Sequence, residues 1–258
     1  MVLEICVDSV ESARAAQSGG AQRVELCSSL SEGGVTPSSG LIGAVRECLS
    51  IPVFVIVRPR GGDFFYAGEE FAVMKRDIAA AKAYGVNGVA LGVLLQDGQV
   101  DVERTRELVE LARPMEVTFH RAIDWAPRME EALEQVIAAG ADRILTSGGA
   151  QTAMQGIHRI SRMVEKAGRR VRVMVCGTVR KENIGEIARR TNASEFHASL
   201  RKPGRSPVTY GNRALSLSEA GLDDFALYAV AADDVRALRY ALESVQDGDL
   251  AKMSPPRL

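Results

Sequence analysis

Eight short β-rich runs, each followed by a helical stretch, are the feature that most constrains this chain. The runs fall at 2–8, 23–27, 52–58, 88–92, 116–120, 143–147, 171–176 and 194–199. Helical stretches are predicted over 10–18, 38–49, 69–84, 102–113, 129–139, 150–167 and 180–190, with an eighth near 233–242. Parallel strands need a crossover of a dozen or more residues, and helices of this length supply it. Eight such units in 258 residues favour a single closed eight-stranded parallel βα barrel of the TIM type over an open doubly wound sheet. No low-complexity linker divides the chain, so 1–244 reads as one barrel domain and 245–258 as a flexible tail. The irregular stretch over 200–222 stands outside the regular order.

Residues two apart on a strand share a face, which sorts the side chains. In the first run Leu3, Ile5 and Val7 oppose Glu4, Cys6 and Asp8; in the second, Val24 and Leu26 oppose Arg23, Glu25 and Cys27. The apolar sets pack under helices, so the polar sets point into the barrel. Near the strand starts this places Glu4, Arg23, Glu116, Arg143, Arg172 and Glu195 together, three acids and three bases. Buried charges must be paired, which predicts a balanced, structural ion-pair layer at the closed end.

Chemistry in a barrel of this class is built at the strand C-termini. Delivered there are Cys6, Asp8, Glu25, Cys27, Arg58, Arg60, Asp63, His120, Arg121, Asp124, Thr146, Ser147, Cys176, His197 and Ser199. Arginine forks match carboxylate or phosphate, so Arg58-Pro59-Arg60-Gly61-Gly62-Asp63 reads either as an anion-binding corner or as an ion-paired turn. The turns Thr146-Ser147-Gly148-Gly149 and Cys176-Gly177-Thr178 precede helices and offer free N–H groups suited to an anion; tight-turn glycines are the other reading. His120 and His197 titrate near neutral pH and suit general acid–base work, or a hydrogen-bonded rim. Cys6 and Cys27 lie on neighbouring strands at one level and on one face, within reach of one soft cation such as Cu(I) or zinc, with Cys176 approaching from the far side. Unreactive, partly buried thiols are the alternative.

Composition narrows the partners. A net charge of −1 with 25% charged residues of both signs gives no field for nucleic acid or a membrane surface, and no basic stripe or aromatic series appears. No run of 18 apolar residues occurs, and Glu4 and Asp8 interrupt the opening strand, so an intracellular protein is expected. Four cysteines are too few for a disulfide scaffold.

The motifs Leu3-Glu4-Ile5-Cys6-Val7-Asp8-Ser9, Val24-Glu25-Leu26-Cys27, Ser31-Glu32-Gly33-Gly34-Val35-Thr36-Pro37, Arg58-Pro59-Arg60-Gly61-Gly62-Asp63-Phe64, Phe119-His120-Arg121-Ala122-Ile123-Asp124, Leu145-Thr146-Ser147-Gly148 and Glu195-Phe196-His197 together resemble the copper homeostasis protein CutC family. The resemblance implies a βα barrel, a cytoplasmic location, a homo-oligomer, a role in copper tolerance, and Cu(I) on the cysteines matching Cys6 and Cys27. No organic cofactor is expected. Two functions stay open: a Cu(I)-handling protein, or an enzyme acting on a small phosphate- or carboxylate-bearing metabolite. In the second, Arg58 and Arg60 hold the anion, His120 or His197 is acid or base, and Glu25, Asp63 or Asp124 is the partner carboxylate.

Overall fold

The computed structural model describes residues 1–211 and 225–253. Eight parallel strands close into a barrel in sequence order: β1 (Val2–Val7), β2 (Arg23–Leu26), β3 (Val53–Ile56), β4 (Gly88–Leu91), β5 (Glu116–Phe119), β6 (Arg143–Thr146), β7 (Arg172–Val175) and β8 (Glu195–Ala198). The helices are α1 (Val10–Ser18), α2 (Ser39–Cys48), α3 (Gly68–Ala83), α4 (Val102–Ala112), α5 (Met129–Ala139), α6 (Ala153–Ala167), α7 (Ile184–Thr191) and α8 (Ala232–Met253). β8 closes on β1 with Val2 opposite Glu195 and Glu4 opposite His197. The predicted barrel is therefore observed, each predicted strand lying within two residues of its place. Among the described residues no helix is long and apolar enough to cross a membrane.

Local chemistry explains the helix boundaries. Ser9 and Ser38 cap α1 and α2 by accepting the N–H groups of Ser12 and Leu41, each satisfying an otherwise orphaned donor. α6 begins three residues later than expected, because Thr152 and Gln155 form a reciprocal capping box and the preceding residues stay in a turn. α7 begins four residues late because Asn183 accepts from the Arg180 N–H and donates to the Thr178 carbonyl, holding a turn instead of a helix. Two elements had no counterpart in the sequence reading: β9 (Lys202–Arg205) and β10 (Ala226–Ala229) pair as an antiparallel two-stranded sheet. Part of the irregular stretch at 200–222 is thus a strand, and 212–222 lies outside the described residues. The expected tail is helical as far as Met253; 254–258 lies outside the description.

Alternation holds on every strand. Leu3, Ile5, Val7, Val24, Leu26 and Val55 join the apolar layer between sheet and helices. The inward faces carry the charges: Arg23 bonds Glu4 and also Glu195 (2.7 Å), Arg143 bonds Glu195 (2.5 Å) and Glu116 (3.0 Å), and Arg172 bonds Glu116 (2.8 Å). Phe54 lies beneath both inner guanidinium groups, 4.9 Å from Arg23 and 5.2 Å from Arg143. One correction applies to this layer: Glu116 and Arg172 sit at the rim with side chains 42% and 44% exposed, so four of the six charges are buried. They are the outermost inward-facing residues of their strands, where the barrel opens to water.

Candidate functional site

The charged layer continues toward the mouth. His197 Nδ1 lies 2.7 Å from Glu4 Oε1, and its Nε2 is 3.9 Å from Glu25 Oε2. Burial works to raise the Glu4 pKa, but Arg23 and the bond to His197 hold the carboxyl down at about 2. Burial would lower that of His197; Glu25 and the hydrogen bonds to Cys6 and Glu4 instead raise it well above its ordinary value. Burial raises Glu25. Cys6, Glu25 and His197 each offer a ligand atom within 4.8 Å of the others, a group that can hold a metal ion.

Strand register explains this grouping and corrects one expectation. β1 and β2 pair Cys6 with Glu25, not with Cys27, so the two cysteines are not level. Cys27 lies one inward position further along, and its N–H donates to the Val7 carbonyl. Its sulfur nevertheless leans back to 3.3 Å from Cys6 Sγ, and both are free thiols. The bond to Cys27 and burial push the Cys6 thiol well above its usual range. Cys176 does not join them. It is packed with Leu145 and Met174, and burial pushes its thiol up as well.

Above this cluster opens a cavity of about 560 Å³, lined among others by Cys6, Glu25, Arg58, His120, Arg121 and His197. Ser199, expected at the open end, is on its wall, whereas sequence reasoning missed Trp125 and Gln151. Trp125 sits in a short 3₁₀ turn (Arg121–Trp125) directly after β5, a signal that could have been read.

The two arginines of the Arg58-to-Asp63 turn differ in their surroundings. Arg58 Nη1 donates to the Glu32 and Gly34 carbonyls (2.7 and 2.9 Å) and Nη2 to Gly62 (2.7 Å), tying two loops to the end of β3. Arg60 is turned away from the cavity: it pairs with Glu70 (2.6 Å) and Asp63 (3.1 Å) and donates to the Gly61, Asp63 and Phe65 carbonyls. Asp63 serves that turn too, accepting the Phe65 N–H, and borders a separate depression of about 300 Å³. Neither is placed to meet a ligand in the main cavity.

The glycine-rich turn after β6 does bind an anion, and the anion is the protein's own. Asp124 accepts from Thr146 Oγ1 (2.5 Å), from the Ser147 N–H and hydroxyl (2.9 Å to the latter), from the Gly149 N–H (3.0 Å) and from Arg121 Nε (2.8 Å). Gly148 and Gly149 have φ of 75° and 67°, the left-handed conformation that turns these N–H groups inward. Thr146 and Ser147 are therefore occupied, and the Gly148 N–H donates to Thr146 Oγ1 at 2.9 Å. Gly177 is structural as well: a Cβ there would come within 2.8 Å of the Ser147 Cβ, so only glycine lets the β6 and β7 turns pack together.

His120 is the remaining predicted residue on the cavity wall. Its Nδ1 accepts the Ala122 N–H at 3.3 Å, and a Cβ on Gly92 would lie 2.6 Å from that nitrogen, so β4 leaves space for the ring. Burial and the nearby Arg58 charge bring its pKa down to about 3. At this site the unfolded chain binds one more proton than the folded protein between about pH 6.5 and 3, so His120 contributes a fall in stability with falling pH of up to about 1.4 kcal/mol per unit in that window. His197 is protonated in both states below 6.5 and adds nothing. We expect His120→Gln to remove this contribution and flatten the slope accordingly; denaturant unfolding at pH 6 and 5 checks it, and an identical slope in variant and parent defeats the assignment.

A family model for CutC matches residues 1–202. The chain belongs to the CutC family. A CutC family protein of Chromobacterium violaceum is 48% identical over 94% of this chain and 98% of its own length. The copper homeostasis protein cutC homolog of Homo sapiens is 41% identical over 95% and 90%. Among solved structures, the copper homeostasis protein CutC of Streptococcus agalactiae superposes with a TM-score of 0.73 at 31% identity, covering 76% of this chain and 97% of that one. Thiamine phosphate pyrophosphorylase from Pyrococcus furiosus aligns with a TM-score of 0.58 at 16% identity, a likeness of barrel fold alone. The motifs carrying the CutC resemblance are thus the segments that build the cavity floor and walls.

Proposed function

We propose that this CutC family chain is a copper homeostasis protein that binds Cu(I) at the floor of the barrel mouth. Cys6, Cys27 and His197 Nε2 would supply two soft sulfurs and an imidazole, a donor set suited to Cu(I), with Glu25 as the adjacent carboxylate. The observation that carries this reading is the meeting of Cys6, Glu25 and His197 within 4.8 Å. Support comes also from behind the ring: Glu4 bonded to His197 Nδ1 leaves Nε2 facing the cysteine, the carboxylate–histidine arrangement that orients metal-binding imidazoles. The names of the human and mouse relatives agree with it.

Anaerobic titration of the reduced protein against a colorimetric Cu(I) chelator tests the proposal. One Cu(I) per chain is expected, and Cys6→Ser, Cys27→Ser should weaken it by at least about 100-fold, since two ligands are lost. Glu4→Gln should weaken it by roughly 10- to 100-fold through the imidazole alone. Binding by the double variant equal to that of the parent would reject the reading. Because the Cys6 thiol is held protonated, Cu(I) must displace its proton. Apparent affinity should therefore rise about tenfold per pH unit for each proton released.

A further inference from the structure

Copper leaves two features of the mouth without use, and both point to an organic ligand. The first is His120. A backbone N–H can only donate, so its bond to Nδ1 makes Nδ1 the acceptor, and the neutral ring carries its proton on Nε2. That nitrogen is buried with no hydrogen-bond partner among the described residues, and the side chain, 4% exposed, lines the cavity. An orphaned buried donor carries a desolvation cost that a ligand oxygen would recover.

The second is Arg58. The residue is 5% exposed, its terminal nitrogens donate to the carbonyls of Glu32, Gly34 and Gly62, and its side chain faces the Tyr66 hydroxyl. Every other buried arginine described here has a carboxylate partner: Arg23 has Glu4 and Glu195, and Arg143 has Glu116 and Glu195. Among the described residues none pairs with Arg58. Its guanidinium stacks 5.1 Å from the Phe64 ring, which in turn lies 5.0 Å from the His120 ring. An uncompensated cation and an unused donor thus flank one aromatic side chain on one cavity wall. Ile56, Leu145 and Trp125 supply apolar surface on the same cavity.

We propose that the barrel mouth binds a small organic carboxylate, one oxygen accepting the His120 Nε2 proton, the negative charge offsetting that of Arg58, and the apolar body resting against Phe64 and Trp125. Arg58 acts here as a charge at short range and not as a fork, since its terminal nitrogens are already engaged. The same logic excludes Arg60, which has its own carboxylates. A cavity of about 560 Å³ lies within the range of small-molecule sites.

Full-length metal-free protein, labelled with ¹⁵N-histidine, is titrated with cyclohexanecarboxylate and with its uncharged analogue cyclohexanecarboxamide. The expected result is a saturable shift of the His120 Nε2 resonance with the acid, and at least about tenfold weaker binding of the amide. Trp125 is the only tryptophan of the chain, so its fluorescence gives an independent readout. By that readout His120→Ala should weaken the acid by at least about tenfold. An unmoved His120 resonance up to about 50 mM acid overturns the proposal, as does equal binding of acid and amide. The wild-type titration decides the matter even if the variant fails to fold. Without metal in the sample, neither result bears on the copper titration.

Discussion

Replacing Arg143 by methionine is expected to lower the free energy of unfolding by about 3–5 kcal/mol. The side chain is fully buried and donates to Glu195 twice, to Glu116 and to the Thr118 hydroxyl. Methionine matches its length and apolar stem, so little of the loss comes from packing. What remains is Glu195, 4% exposed, stripped of its shortest bond and left with Arg23 and a distant Arg172. Arg172→Met is the matched control: it stands in the same layer but is half exposed, and its loss should stay within about 1 kcal/mol. Urea unfolding of both variants gives the comparison, and equal losses would show that burial does not govern this layer.

The second large effect is expected at Asp124. Asp124→Ala removes the acceptor of two backbone N–H groups, two hydroxyls and a guanidinium in one change. The Thr146 hydroxyl and the Ser147 N–H are buried donors that would carry a desolvation cost, and the bonds they lose are charge-assisted, whereas the Ser147 hydroxyl keeps the Ala150 carbonyl at 2.6 Å. A loss of roughly 2–4 kcal/mol follows, from the buried donors left without an acceptor. The vacated turn then becomes an oxyanion nest, so formate should raise the melting temperature of the variant, dose by dose, and leave the parent unmoved. A loss below about 1 kcal/mol, or formate acting alike on both proteins, would refute the role assigned to this carboxylate.

Much of this was legible in the sequence because strand periodicity is rigid. Alternation alone put Glu4, Cys6, Glu25, Arg143 and His197 inside the barrel, and all are there. Register was not legible, since it depends on how two strands slide. A slip of two residues preserves the face, and this is why Cys27 was set level with Cys6 when Glu25 holds that place. The sequence also shows donors without their acceptors. Thr146-Ser147-Gly148 was read either as a turn open to a ligand anion or as tight-turn glycines, and Asp124, more than twenty residues earlier, is the carboxylate found there. For Arg60 the partner was close at hand: Glu70 stands in the first turn of α3 and also accepts the Ala67 N–H there. β9 escaped notice because Lys202-Pro203-Gly204-Arg205 has no strand propensity, and its pairing with β10 spans more than twenty residues.

The chain of charges through the barrel also bears on how the protein folds. Glu4 meets His197 across 193 positions, and Arg23 meets Glu195 across 172. Those bonds form only when the last strand docks on the first, and forming them requires closing nearly the longest loop the chain allows. A barrel lacking β8 would hold Glu4 with Arg23 alone, and Arg143 without its principal acceptor. The docking of β8 on β1 therefore supplies partners to Glu4, Arg23 and Arg143 at once, which ties the two ends of the barrel sheet together through charge as well as through backbone pairing.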